Sequence, residues 1–268
     1  MTNLTDALHI PDTQGASDAR RLAIQHVGIK RLRYPLRLQV AGALQTTTAE
    51  WTLDVALPAE RKGTHMSRLL AWLDDLAGLD EAPEADLLRS RALDLLERLQ
   101  ADEGRIEAAF DFFVRKRAPV SGVASLLDYR GRWIVEARRS AAPSTVWAEV
   151  MVPVKSLCPC SKEVADYGAH NQRSWVTVRV ELLQPLPWHE LVRFAEDEAS
   201  SELWPLLKRS DEKWVTERAY ENPKFVEDLV RDVALRLQHD ARVGRYVVEV
   251  ENLESIHNHS AFARIERG

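Results

Sequence analysis

Apolar and polar residues alternate from Ile24 to Leu38 and again from Gln45 to Leu57, where Trp51, Leu53 and Val55 interleave with Glu50, Thr52 and Asp54. A period of two predicts strands, and their closeness predicts a hairpin. The period then lengthens. Leu69-Leu70-Ala71-Trp72-Leu73 gives a helical face after a polar turn, and Pro83 to Leu99 carries leucines at 87, 88, 93, 95, 96 and 99 behind an early proline. Strand-like runs return at Arg105 to Phe113, Trp133 to Arg138 and Val146 to Val154.

A similar order follows. Ser174 to Leu182 alternates as a strand, and Trp188 to Leu207 places apolar residues at 188, 191, 192, 195, 199, 203 and 206, which predicts one helix. Asn222-Pro223 reads as the N-cap and first position of another helix, with Glu227 and Asp228 in its opening turns and an end near His239. Tyr246 to Val250 and Ser260 to Ile265 close as strands. The order predicts an α+β fold of two similar strand and helix-pair modules, residues 21–140 and 141–268, in one integrated domain behind a flexible arm at residues 1–20.

Composition narrows the function. With 45% hydrophobic and 29% charged residues among 268, the chain is an ordinary globular protein able to bury a sizeable core. A formal charge of −5 provides no basic field for nucleic acid or an anionic membrane, although a local cationic cluster can still hold an anionic substrate. No run approaches the roughly 20 apolar residues of a membrane span, and Met1 to Gly15 lacks a hydrophobic signal core, so a cytoplasmic location is expected. The two cysteines flank a single proline, a spacing that suits free thiols better than a disulfide framework.

Those cysteines lie in Ser156-Leu157-Cys158-Pro159-Cys160-Ser161-Lys162, and His170 follows soon after. Thiolate and imidazole so close in sequence read as half of a metal site; a buried, inert cysteine pair is the plain alternative. Two other polar segments, Lys208 to Lys213 and Asn252 to His259, can supply a carboxylate and acid–base groups. By itself Glu212 is a residue of a solvated charge run, Glu227 suits a helix dipole, and His257 and His259 are surface histidines. Lys62, His65 and Arg68 mark a loop-to-helix junction that can hold a phosphate or simply cap a helix. Converged, such groups would activate water on a metal and protonate a leaving nitrogen, the chemistry of C–N hydrolysis.

Several strings occur together and in order: Lys62-Gly63-Thr64-His65-Met66-Ser67-Arg68, Ala118-Pro119-Val120-Ser121-Gly122, the cysteine loop, Tyr167-Gly168-Ala169-His170-Asn171-Gln172-Arg173, Asp211-Glu212-Lys213, Ala219 to Asp228, and Glu254 to Ala261. From about residue 20 to the end, the chain closely resembles GTP cyclohydrolase of type IB. The resemblance implies a tunnelling fold, with antiparallel sheets, helices on one face and subunits assembled as a homotetramer. It implies conversion of GTP and water to formate and 7,8-dihydroneopterin triphosphate, an entry to folate and queuosine-type compounds. One divalent metal per subunit, zinc, manganese or iron, would be held by Cys158, His170 and Glu212. Glu227 would anchor the guanine edge and His257 would move a proton near the purine, with Cys160, Glu254 and His259 as catalytic partners. Lys62, His65 and Arg68 would face the triphosphate, on local charge alone. No G-x-x-x-x-G-K-[ST] loop is present, so cleavage of a phosphate bond is not expected. The rival readings are a nitrile reductase of the same fold, using a nucleophilic cysteine and NADPH, and a non-catalytic module with a structural metal.

Overall fold

The computed structural model describes residues 12–140 and 144–268. The boundary expected at 140/141 abuts residues 141–143, and most of the expected arm, residues 1–11, lies outside the described part. Of the remainder of that arm, residues 14–18 run along the turn after the second strand: Asp18 N–H donates to Glu60 O at 2.9 Å and Lys62 N–H to Ala16 O at 3.0 Å.

Among the described residues eight strands form one antiparallel sheet in chain order: β1 (Ile24–Val40), β2 (Ala43–Leu57), β3 (Glu103–Arg117), β4 (Ala124–Arg138), β5 (Thr145–Leu157), β6 (Asn171–Leu182), β7 (Val243–Asn252) and β8 (Ala261–Arg267). Helices α1 (Met66–Ala77) and α2 (Ala85–Leu99) connect β2 to β3; a short α3 (Pro159–Val164) connects β5 to β6; α4 (Trp188–Glu196), α5 (Arg209–Glu221) and α6 (Val226–His239) lie between β6 and β7. One face of the sheet meets the helices. Val146, Ala148, Val150, Val152 and Val154 of β5 alternate into a core shared with Leu73 of α1, Leu96 of α2, Leu191 of α4 and Val233 of α6. Each of these valines and leucines, fully buried, contributes about 1.5–3 kcal/mol. The opposite face is charged: Arg33, Glu50, Asp111, Arg132 and Glu149 line a concavity of about 640 Å³.

The strands were legible, but three helical expectations change. The helix expected over Trp188 to Leu207 stops at Glu196, because Ser201 pairs with Lys155 of β5 through two backbone hydrogen bonds, 2.9 and 3.2 Å. The charge run Lys208 to Lys213 is not a solvated loop but the start of α5. Asn222 ends that helix and donates its side-chain amide to Ala199 O at 2.9 Å, so the cap of α6 is Phe225, whose N–H reaches the Asp228 carboxylate at 3.0 Å.

Antiparallel order sorts the connections between two ends of the sheet. The β3–β4, β5–β6 and β7–β8 connections lie at one end, with Leu157 opposite Asn171 and Asn252 opposite Ala261. The turn after β2 lies at the other, where Leu57 pairs with Ile24. The 13 residues of β5 separate these ends by about 40 Å.

Candidate active site

At the β5–β6 end the ladder continues one rung past the strands: Cys158 N–H donates to His170 O at 3.1 Å. The two residues most distinctive in sequence are thus directly opposed. Cys158 is half-buried and caps α3, its sulfur accepting from Ser161 N–H at 3.4 Å, with Pro159 in the first helical position where no N–H is required. Cys160, two residues on, is exposed.

His170 is oriented from below. The Gln172 side chain, buried on β6, meets Nδ1 at 3.1 Å, and Ser255 Oγ approaches the same nitrogen at 3.5 Å. With the amide oxygen toward the ring, the tautomer that carries its proton on Nδ1 suits this contact and would leave Nε2 available, the usual arrangement behind a metal-binding imidazole. Beneath lies a buried polar row across three strands: the Ser174 hydroxyl links Ser156 Oγ at 2.8 Å and Asn252 Oδ1 at 2.7 Å. Buried polar groups persist where they are paired. Here they replace the valines found one rung further along β6 and hold the loop ends in register.

The Ser255 contact brings the β7–β8 connection to the same place. His257 and His259 stack there, ring centroids 5.1 Å apart and 13° from parallel, both exposed, with Glu254 beside them. Glu227 lies exposed in the first turn of α6, which starts at this end because Lys224 N–H bonds to Leu157 O at 3.1 Å.

Glu212 also faces solvent here, on α5. The preceding Asp211 is 0% exposed, and its carboxylate accepts from Val120 N–H at 2.9 Å, Ser121 N–H at 2.8 Å, the Ser121 hydroxyl at 2.6 Å and Lys208 N–H at 2.8 Å. Burial pushes its carboxyl up, but the Ser121 hydroxyl and the backbone donors outweigh this and hold it well below the usual range. The other end of α5 is tied to α3: Lys162 Nζ donates to Tyr220 O and lies 4.4 Å from the Tyr220 ring centroid.

Cys158, Cys160, His170, Glu212, Glu227, Glu254, His257 and His259 therefore share one end of the sheet. Within one chain they do not close into a preformed cluster: among the described residues no three His, Cys, Asp or Glu groups are gathered tightly enough to hold a metal ion. The donor set still fits one, since a capped thiol and an imidazole with free Nε2 are adjacent and a solvent-facing carboxylate is available. Lys62, His65 and Arg68 sit at the far end. His65 Nε2 meets Asp12 Oδ1 at 3.1 Å, and Arg68 donates to Arg98 O at 2.9 Å. The supports Asp211, Gln172, Ser174 and Asn252 were given no role from the sequence; for Gln172 and Ser174, polar residues at inward positions of β6 were the available signal.

A second buried network links the halves of the sheet. Glu196 accepts from Lys116 Nζ at 2.7 Å and the Tyr129 hydroxyl at 2.6 Å, while Lys116 also pairs with Glu202 at 2.5 Å. Burial raises the Glu196 carboxyl, opposed by Lys116. It braces the segment leading into α5, where Trp204 Nε1–H donates to Arg117 O at 2.9 Å.

Among solved structures, urate oxidase from Bacillus subtilis 168 shares the fold, with a TM-score of 0.51 at 11% identity over 91% of this chain and 98% of that one. No helix among the described residues is long and apolar enough to cross a membrane. Curated relatives are much nearer. GTP cyclohydrolase FolE2 of Methylibium petroleiphilum is 61% identical over 97% of this chain and 96% of its own, and that of Burkholderia multivorans 55% identical over 100% and 98%. The profile described as type I GTP cyclohydrolase FolE2 matches residues 10–263. On this match and these identities, the chain belongs to the type I GTP cyclohydrolase FolE2 family.

Proposed function

We propose that the chain converts GTP and water to formate and 7,8-dihydroneopterin triphosphate at the sheet end built around Cys158 and His170. The observation that carries this reading, within a chain of this family, is the convergence of the cysteine loop, the Gln172-held histidine and the His257 loop. A divalent metal held by Cys158, His170 and Glu212, with zinc, iron and manganese all compatible, would supply the Lewis acidity that makes water nucleophilic near neutral pH.

The chain's own residues do the rest. Glu227 accepts from the exocyclic amine and ring N–H of guanine, a donor pair adenine lacks. His257 delivers a proton to a purine ring nitrogen as water adds to the imidazole carbon, and its stacking on His259 fixes its plane. Ring opening, a second hydrolysis, ribose rearrangement and pterin closure follow. Cys160 and Glu254 border this path.

The fuller fold reading is a tunnelling fold of two tandem modules assembled as a cytoplasmic homotetramer. Its support is the repeated order strand, strand, helices, strand, strand, with exposed Tyr167, Ile256 and Phe262 around the site available for a second copy. Lys62, His65 and Arg68 would reach the triphosphate only from such a copy, given the length of the sheet. The test is a metal-reconstituted assay of formate and pterin fluorescence from GTP, comparing the three metals. Stoichiometric release of both is expected; metal-loaded protein that leaves GTP intact overturns the reading.

A further inference from the structure

The segment Ala118-Pro119-Val120-Ser121-Gly122 has no part in the chemistry above, yet it receives one of the most completely bonded carboxylates in the molecule. Gly122, with φ of +68°, turns the β3–β4 connection so that two consecutive amides, Val120 and Ser121, point the same way. Both donate to Asp211 Oδ1, and the Ser121 hydroxyl donates to Oδ2. That second oxygen also accepts Lys208 N–H, closing the first turn of α5. One carboxylate therefore both starts the helix and ties it to a loop about ninety residues away.

The next residue is Glu212, exposed and without such support, on a helix whose buried side chains are only Asp211, Val215 and Ala219. So thin an apolar face leaves the start of α5 dependent on polar ties. We propose that Asp211 and Ser121 form a latch that positions Glu212 for its ligand role, making them positioning residues for the metal site. This rests on the reading of Glu212 as a ligand.

The latch predicts a defined pattern. Asp211→Asn puts an amide donor against amide donors and releases the helix start; Ser121→Ala removes one bond; Ser121→Thr keeps the hydroxyl, with room for its methyl because Ser121 is exposed. Zinc affinity of the purified full-length protein, read by chelator competition, should fall about 10–100-fold in Asp211→Asn and less in Ser121→Ala, with Ser121→Thr unchanged. Excess zinc should restore turnover in Asp211→Asn but not in Glu212→Gln. Wild-type affinity in both Asp211→Asn and Ser121→Ala, while Glu212→Gln loses zinc, overturns the latch alone. Retained zinc and turnover in Glu212→Gln overturn the ligand reading and the latch with it. Should Asp211→Asn fail to fold, the Ser121 pair decides: equal affinity in Ala and Thr overturns the proposal.

Discussion

His170 and His65 stand at opposite ends of one sheet and are held in different ways. His170 is approached at Nδ1 by a buried neutral amide, which leaves its other nitrogen unengaged, and its neighbour Cys158 caps α3 and is otherwise uncommitted. His65 instead pairs with the exposed Asp12, and Arg68 donates to the end of α2, contacts that anchor the segment after β2. Exposed ion pairs of that kind contribute little, because water and salt screen them. The first end thus has a buried polar scaffold beneath the thiol and imidazole, and the second has His65 and Arg68 already engaged by their own chain. On the proposed reading, ligand chemistry belongs to the first, and the second would add charge only to the site of a second copy.

The largest effect that would break this contrast is at Glu227. Glu227→Ala should lower kcat/KM for GTP by roughly 10³-fold, the scale of two lost charge-assisted hydrogen bonds, and leave metal content intact. Lost metal would make it a ligand. Next is the buried network below α5: Lys116→Met should destabilise the fold by about 3–5 kcal/mol in urea titrations, because Glu196 is left buried without its cation. Adding Glu196→Gln should recover part of this; an additive loss would contradict the account.

At the far end, Lys62→Ala should raise KM for GTP by about tenfold, one charge contact, with kcat and metal content unchanged. A fall in metal content would collapse the distinction between the ends. The smallest effect concerns pH. Hydrogen bonds from Arg245 and Arg242 hold the Glu181 and Asp240 carboxyls below their ordinary values. Folded values below unfolded ones mean stability present above about pH 4 and lost as pH falls through the folded values. Arg245→Gln should therefore flatten the acid side of the urea-midpoint profile, and an unchanged profile would remove this pair from the account.

Period-two alternation made the strands readable because each has one face in the core. Helix α5 was hidden for the opposite reason: charged residues surround its few buried positions, and the partners that bury Asp211 lie about ninety residues earlier. Apolar spacing past Glu196 continued a helical pattern that pairing of Ser201 with Lys155 interrupts, a tertiary effect with no local sign. The cysteine–histidine pairing was legible as proximity in sequence. Its geometry was not, since the opposition of Cys158 and His170 depends on the register of two strands. Asn222-Pro223 misled because a side-chain amide can end one helix as readily as begin the next.

The central claim is that Cys158, not Cys160, is the thiol of the metal site. Metal content per chain, measured by elemental analysis on Cys158→Ser and Cys160→Ser purified side by side, tests it most directly. The account predicts that Cys158→Ser is empty while Cys160→Ser keeps its metal and turns over slowly. Metal retained in Cys158→Ser and lost in Cys160→Ser would contradict it.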